Sequence, residues 1–342
     1  MSKNYLVTGG AGFIGSNYVN RLLKRGEKVT VYDNLSRAGS KMNLRWLIEQ
    51  HGEKSFDLVV GDVRDAGQLV LAARKADVIV HLAAQVAVTT SVIQPREDFE
   101  INACGTFNVM EAARLNDRHP TVIYSSTNKV YGGMEEVKTV EKASRYEYAD
   151  YPKGIPETLS LDFHSPYGCS KGTGDQYVRD YARIYDIPSV VLRQSCIYGP
   201  RQFGVEDQGW VAWFIIAAVT GRPITIYGDG KQVRDILFVE DLINAYDAAI
   251  QNIDKVGGKV YNVGGGASNT IAIWTEFAPL LEKLVGHPLK VNHGDWRPGD
   301  QEVYISDIDK AHRELNWAPK VGVEEGITRL FQWVVENKQL FA

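Results

Sequence analysis

The sequence predicts an α/β protein, a doubly wound parallel sheet with a smaller, interrupted C-terminal domain. Three observations carry this. Short runs rich in β-branched residues alternate with helical patterns through the first half. A glycine-rich turn, Gly9-Gly10-Ala11-Gly12-Phe13-Ile14-Gly15, separates the first such run from the first helix. Past about Gly199 the alternation stops, and tryptophans and turn-rich pieces take over.

Tyr5–Thr8, Lys28–Tyr32, Leu58–Gly61, Val78–Leu82, Val122–Ser125 and Val190–Arg193 read as strands. Each is too short for an independent helix and apolar nearly throughout, as strands buried on both faces are. Helical patterns cover Gly15–Lys24, Gly67–Arg74, Cys104–Leu115 and Pro166–Tyr185. Such alternation gives a parallel sheet with helices on both faces. Beyond Gly199, Trp210, Trp213, Trp296, Trp317 and Trp333 appear with Gly228-Asp229-Gly230, Gly264-Gly265-Gly266 and Arg297-Pro298-Gly299-Asp300. They mark a smaller domain over the carboxyl ends of the sheet, where doubly wound folds bind ligands. Ile236–Phe238 and Val260–Val263 are expected to return to the large domain. The division is then 1–193 with about 234–264 for the sheet domain, and about 194–233 with 265–342 for the smaller one. Met134–Phe163 lacks periodicity and is long for a connection, which suits a lid or binding loop.

The 342 residues, 44% hydrophobic and 23% charged, suffice for one large or two interlocked domains. Net charge is −4 and no Lys/Arg-rich run occurs, so neither a nucleic acid nor a membrane surface is an expected partner. Cys104, Cys169 and Cys196 form no CxxC. That argues against disulfides and structural zinc and fits a reducing compartment. A first strand from about Asn4 leaves no length for a signal peptide, and no apolar run approaches the roughly 20 residues of a membrane span. A soluble, cytoplasmic protein is expected. The histidines show no metal-ligand spacing, so no metal is expected.

The glycine turn has a chemical reading. A side chain at Gly9 or Gly12 would hold the backbone off a pyrophosphate, and one at Gly15 would hold helix from strand. Phosphates would lie at the helix start by Phe13 and Ile14, where free N–H groups and the dipole favour anions. Asp33 ends the second strand about 20 residues past the glycines, where an acid accepts from both ribose hydroxyls. It would repel a 2′-phosphate, which favours NAD over NADP, although nearby Arg37 blurs that preference. Asp62-Val63 ends the third strand at a place suited to the adenine edge.

Tyr167 and Lys171 are spaced to share one helix face. A phenol has an unperturbed pKa of about 10, and bringing it near 7 takes about 4 kcal/mol. One cation at about 4.5 Å supplies roughly that at an effective dielectric near 20. An oxidised nicotinamide ring would add a second positive charge. The pair therefore points to taking a proton from a hydroxyl while a hydride leaves the carbon that bears it.

In order stand the glycine loop, Asp62-Val63, His81-Leu82-Ala83-Ala84, Asn102, Ser125-Ser126-Thr127, Tyr167 with Lys171, Tyr198-Gly199-Pro200 and Arg297-Pro298-Gly299-Asp300. From about residue 4 to 320, this set resembles the extended short-chain dehydrogenases/reductases, specifically the nucleotide-sugar epimerases and dehydratases. The resemblance implies a Rossmann fold and NAD. It implies Tyr167 as base, Lys171 orienting the ribose and lowering the phenol pKa, Thr127 on the reacting sugar oxygen, and Asn102 holding the lysine's surroundings. The implied cofactor shell is Gly9, Gly12, Phe13, Ile14, Gly15, Asp33, Asn34, Leu35, Ser36, Arg37, Asp62, Val63, Leu82, Ala83, Ala84, Asn102 and Ser125, beside Tyr167 and Lys171. Substrate contacts fall to Gln85, Thr127, Asn128, His164, Cys196, Arg201, Arg234 and Arg297. Arg234 and Arg297 would clamp the sugar-nucleotide pyrophosphate, which guanidinium matches bidentately. A homodimer through two helices, one carrying Tyr167, or a homotetramer, is also implied.

The residues after Thr127 select the reaction. In the sugar 4,6-dehydratases of this family an Asp-Glu pair follows the threonine and drives elimination. Here Asn128-Lys129 stand there, and neither is a carboxylic acid or carboxylate base. Decarboxylating relatives use a glutamate in this region and are disfavoured too. What remains is epimerisation with NAD unchanged. Tyr124–Gly132, Asp162–Gly172, Asp33–Arg37, Gln85-Val86-Ala87 and Gly230–Asp235 resemble the CDP-paratose (CDP-tyvelose) 2-epimerase branch. That resemblance implies inversion at carbon 2 of a CDP-hexose through a transient 2-keto sugar. Cys196 stands where many relatives place asparagine or serine, so unmodified CDP-glucose is a plausible substrate. Epimerisation at carbon 4 of a UDP- or other sugar nucleotide stays open, and a non-catalytic NAD-binding module is a remote alternative.

Overall fold

A computed structural model describes residues 2–297 and 300–341. The large domain opens with β1 (Asn4–Thr8), α1 (Phe13–Lys24), β2 (Lys28–Asp33), α2 (Ser40–His51), β3 (Asp57–Val60), α3 (Ala66–Ala73) and β4 (Val78–His81). Next come α4 (Val88–Ile93), α5 (Pro95–Phe99), a π turn (Glu100–Cys104), α6 (Gly105–Arg114), β5 (Thr121–Thr127), β6 (Thr139–Glu141), β7 (Tyr146–Tyr148), α7 (Ser165–Ile184) and β8 (Ser189–Gln194). The remainder is β9 (Cys196–Tyr198), α8 (Trp210–Thr220), β10 (Ile224–Tyr227), β11 (Val233–Phe238), α9 (Val239–Gln251), α10 (Ile253–Val256), β12 (Val260–Val263), β13 (Thr270–Ala272), α11 (Phe277–Val285), β14 (Val291–Gly294), β15 (Val303–Tyr304), α12 (Asp309–Leu315) and α13 (Val323–Glu336).

The doubly wound sheet is present, with seven parallel strands in the order β12-β8-β5-β4-β1-β2-β3. Successive strands run outward from β1 on one side and from β4 on the other. The crevice between these two strands is the switch point where such sheets take ligands. The central strands are buried along their length, which explains their unbroken apolar runs. α1 turns Tyr18, Val19 and Leu22 into the same core, at the spacing of one helix face.

Val260–Val263 joins the large sheet as β12. Ile236–Phe238 does not. It pairs with Cys196–Tyr198, and the same strand, β11, also meets β13 and β15 in a separate small sheet. The reason is its alternation: Leu237 enters the core under the large sheet, while Ile236 and Phe238 enter the second core. β11 thus stitches the two cores together. Of the tryptophans, Trp210 packs on Phe277 at 5.2 Å and Trp274 on Phe214 at 5.6 Å in the second core, whereas Trp317 lies in the first.

Met134–Phe163 is no open loop. It carries the β6–β7 hairpin, bridges Ile155 to Ser306, and surrounds a small core of Val130, Tyr131, Ile155 and Tyr304. Arg145 from this segment pairs with Glu276 at 2.9 Å. No helix among the described residues is long and apolar enough to cross a membrane.

Candidate functional site

A cleft of about 510 Å³ opens above the switch point. Its floor is the turn between β1 and α1. Gly9 has φ of +68°, and a Cβ there would lie 2.8 Å from the Ala83 nitrogen. A Cβ on Gly15 would lie 2.1 Å from the Gly9 carbonyl oxygen. The glycines therefore let the turn fold this tightly onto β4 and α1. The first N–H groups of α1, on Phe13, Ile14 and Gly15, have no partner within the helix and line the cleft. Asp33 is buried beside them. One of its oxygens accepts from the Ala11 N–H at 3.0 Å and the other from the Leu35 N–H at 2.8 Å. Burial raises its pKa, and those two backbone donors oppose the rise. The carboxylate thus braces the glycine turn and keeps lone pairs for a ribose.

The edges of this half are ordered locally. The Asn34 side-chain oxygen accepts from Ser36, and its amide donates to Asp62 at 3.0 Å. Arg64 grips the same carboxylate at 2.8 and 2.9 Å and holds it well below the usual carboxylate range. Arg37 donates to Gln208, in the loop before α8. A cradle that any Cβ would fill, free helix-terminal N–H groups and an acid at the end of β2 together fit a dinucleotide without a 2′-phosphate.

Two residues absent from the expected shell fix the wall. The Thr8 hydroxyl sits 2.7 Å from His81 Nδ1 and accepts from the Leu82 and Ala83 N–H groups at 3.2 and 3.3 Å. His81 Nε2 lies 3.1 Å from the Thr106 hydroxyl, which itself donates to the Asn102 carbonyl at 2.6 Å. Thr106 must therefore accept from Nε2–H, which leaves Nδ1 to accept from Thr8. Asn102 then exchanges two hydrogen bonds with the backbone of Gln85, at 3.0 and 2.8 Å, and donates to buried Asp98 at 2.9 Å. So Asn102 holds the Gln85 loop directly, and reaches the lysine's surroundings through Asp98.

Tyr167 and Lys171 lie on the first turns of α7, which the Ser91 hydroxyl anchors by accepting from the Tyr167 N–H at 3.2 Å. The Lys171 ammonium donates to the Ser125 carbonyl at 2.6 Å and stands 4.4 Å from the centre of the Tyr124 ring. Lower on the same helix, buried Asp175 receives Arg193 at 2.8 Å and Ser126 at 3.0 Å, which pins α7 to the sheet. The Thr127 hydroxyl meets the Tyr167 phenol and lowers its pKa.

The electrostatics correct one expectation. Burial pushes the Tyr167 phenol up to about 12, although the Thr127 hydrogen bond opposes it. Burial pulls Lys171 down to about 7, although Asp98 and Asp175 oppose that. Desolvation penalises either charged form. The sequence-based sum counted the attraction between the two groups and left this penalty out. Within the protein alone, burial favours the protonated phenol, and a positively charged ligand beside it would favour the phenolate.

Of the expected substrate contacts, Gln85, Thr127, Cys196 and Arg201 line the cleft. Gln85 turns its amide onto Ala87, and the Arg201 guanidinium lies over Trp46 at 4.2 Å and Trp333 at 5.6 Å. Asn128 is buried against Thr127 at 3.3 Å. Arg234 is buried and engaged by Asp300 at 2.6 Å and by the Val233 and Gln301 carbonyls, both at 2.7 Å. Arg297 stacks on Tyr227 at 4.1 Å and pairs with Asp207 at 3.2 Å. Pro298 and Gly299 of its motif lie outside the described residues. His164 is exposed at the start of α7 and is not among the cleft-lining residues. Among the described residues, no group of three His, Cys, Asp or Glu is placed to hold a metal.

Residues 6–330 match the family model described as GDP-mannose 4,6 dehydratase. The chain is 44% identical to CDP-paratose 2-epimerase of Salmonella typhi over 335 residues, covering 96% of this chain and 98% of that one. It is 32% identical to dTDP-glucose 4,6-dehydratase of Neisseria gonorrhoeae over 358 residues, covering 98% and 96%. The Thermus thermophilus UDP-glucose 4-epimerase in complex with NAD superimposes with a TM-score of 0.80 at 32% identity, covering 96% and 98%.

Proposed function

Because this chain belongs to the GDP-mannose 4,6 dehydratase family, we propose that it inverts carbon 2 of a CDP-hexose. The sugar is of the CDP-paratose/CDP-tyvelose or CDP-glucose/CDP-mannose type. The protein is a nucleotide-sugar epimerase with NAD as cofactor. The observation that carries the reaction type is Asn128-Lys129 after Thr127, where elimination needs carboxyl groups. The relative at 44% identity supports the carbon and the base.

When bound, NAD accepts the hydrogen of the reacting carbon as hydride and returns it, and its oxidised ring brings a positive charge. The glycine turn and the start of α1 hold the dinucleotide phosphates, and Asp33 holds the adenosine ribose. Lys171 stays fixed between Ser125 and the Tyr124 ring, where it orients the other ribose. The Tyr167 oxygen takes the proton of the sugar hydroxyl and gives it back after inversion. The Thr127 hydroxyl holds that oxygen at the phenol. Arg234 and Arg297 keep the nucleotide in place while the sugar turns over, so the same phenol serves both faces. Oxidation removes the stereocentre directly, so no carbon acid is needed.

We also propose assembly as a homodimer through α6 and α7. Phe107 and Tyr177 meet at 5.5 Å on that surface while each keeps about 40% exposure.

The test is CDP-paratose or CDP-glucose deuterated at carbon 2, with the product read by NMR. The expected product is inverted at carbon 2 and keeps its deuterium. Exchange with solvent would rule out the mechanism. Inversion at carbon 4 of a UDP-hexose without turnover of any CDP-hexose would replace the substrate assignment.

A further inference from the structure

Lys129 has no part in holding the cofactor or in moving the proton, yet the fold organises a site around its ammonium. It lies on the short turn Asn128–Tyr131, which the Thr127 hydroxyl caps by accepting from the Lys129 N–H at 3.2 Å. Lys129 and the hydroxyl that meets Tyr167 therefore belong to one rigid piece of chain. The ammonium donates to the Gln301 side-chain oxygen at 3.3 Å. Gln301 is buried, and its amide donates back to the Gly132 carbonyl at 2.5 Å, so the acceptor is tied to the end of the same turn.

No salt bridge reaches Lys129 among the described residues. Asp300 lies in its neighbourhood but is taken by Arg234 at 2.6 Å. Cys196, a cleft-lining residue, is another neighbour. Burial, and then Arg234, hold the ammonium below its usual range. An ammonium has three donors. One is used among the described residues, so this partly buried cation keeps donors for a polar ligand.

We propose that Lys129 is a specificity-determining residue that donates to a hydroxyl of the hexose, next to the reacting carbon. The proposal rests on the nucleotide-sugar reading above. Lys129 is not itself among the cleft-lining residues and also neighbours Arg234. Its turn begins at Thr127, however, and its neighbour Cys196 lines the cleft, which favours the sugar, while the diphosphate has Arg234 and Arg297.

The test uses NAD-loaded wild type, Lys129→Met and Lys129→Arg, with binding read by calorimetry. Lys129→Met keeps the stem and removes the donors. Loss of a charged hydrogen bond predicts about tenfold to a hundredfold weaker binding of CDP-glucose and CDP-paratose. CDP alone should bind within about twofold of wild type, since its phosphates are held elsewhere. Lys129→Arg should fall between the two. If CDP weakens as much as the CDP-sugars, the ammonium serves the diphosphate and the proposal fails. It fails equally if neither weakens. NAD content and melting temperature establish that each variant is folded, and Lys129→Gln replaces Lys129→Met if the latter is not. If wild type turns over no CDP-hexose, the function reading falls. UDP-glucose against UDP in the same proteins then still decides the role of Lys129.

Discussion

His81 is neutral in the folded protein, because complete burial, aided by Lys171, pulls its imidazole down to about 3. Unfolded, it would titrate near 6.5. Between these values the unfolded chain takes up a proton that the native chain refuses, so stability falls as the pH drops below about 6.5. The loss from this residue should reach about 2 kcal/mol at pH 5, at 1.36 kcal/mol per unit. Urea unfolding of wild type and His81→Gln at pH 7 and pH 5 checks it. The variant should be less stable at pH 7 and should lose less on acidification. Equal losses in both proteins would remove His81 as the cause. The residue stood inside a recognised motif, but its work was not legible there. It depends on Thr8 and Thr106, which chain folding alone brings to its two nitrogens. Tyr167, Lys171 and Thr127 were legible because helix spacing and strand ends are local properties. Their protonation was not, because burial is a property of everything around them.

The turn from β1 to α1 was fully readable from its glycines, and its geometry states why. With Gly15→Ala, the new methyl would lie 2.1 Å from the Gly9 oxygen and 2.7 Å from the Gly10 Cα, both backbone atoms with no room to yield. The variant should lose about 1–3 kcal/mol of stability and emerge from purification without NAD. Absorbance of the dinucleotide released on denaturation measures this. Gly67→Ala, whose methyl would meet only Asp65 at 3.5 Å, should keep its NAD. Retention of full NAD by Gly15→Ala would mean that the turn can open. Other elements were hidden. α2 buries only a narrow stripe including Leu44 and Leu47, too little for a clear period. The π turn at Glu100–Cys104 swings Asn102 toward the Gln85 loop, and an irregular turn inside a helix has no sequence period of its own. β11 is as long as β2 and β8, but its two faces serve two cores, which a single strand pattern does not disclose.

At the scale of the whole molecule, the exposed aromatics Phe107, Tyr177 and Tyr185 gather on α6 and α7, with Tyr181 packed on Tyr185 at 4.9 Å. α7 also carries the phenol, so assembly would stiffen the helix that bears it. Phe107→Glu with Tyr177→Glu should convert a dimer to a monomer in light scattering, with the circular dichroism spectrum unchanged. A wild-type monomer would remove the proposed interface. The loop before α8 joins the two halves of the cleft. Gln208 answers Arg37 on the cofactor side, and Asp207 and the Glu206 carbonyl answer Arg297 on the substrate side. Arg234 likewise has Asp300. Each guanidinium thus already has a partner within the protein. On the proposed roles of Arg234 and Arg297, a nucleotide's phosphates would compete with Asp300 and Asp207 rather than meet bare charges, an exchange of one anion for another. The net gain is the small difference between two good interactions. Such an exchange runs readily in reverse, which suits a catalyst that must let go of a product differing from its substrate by one stereocentre.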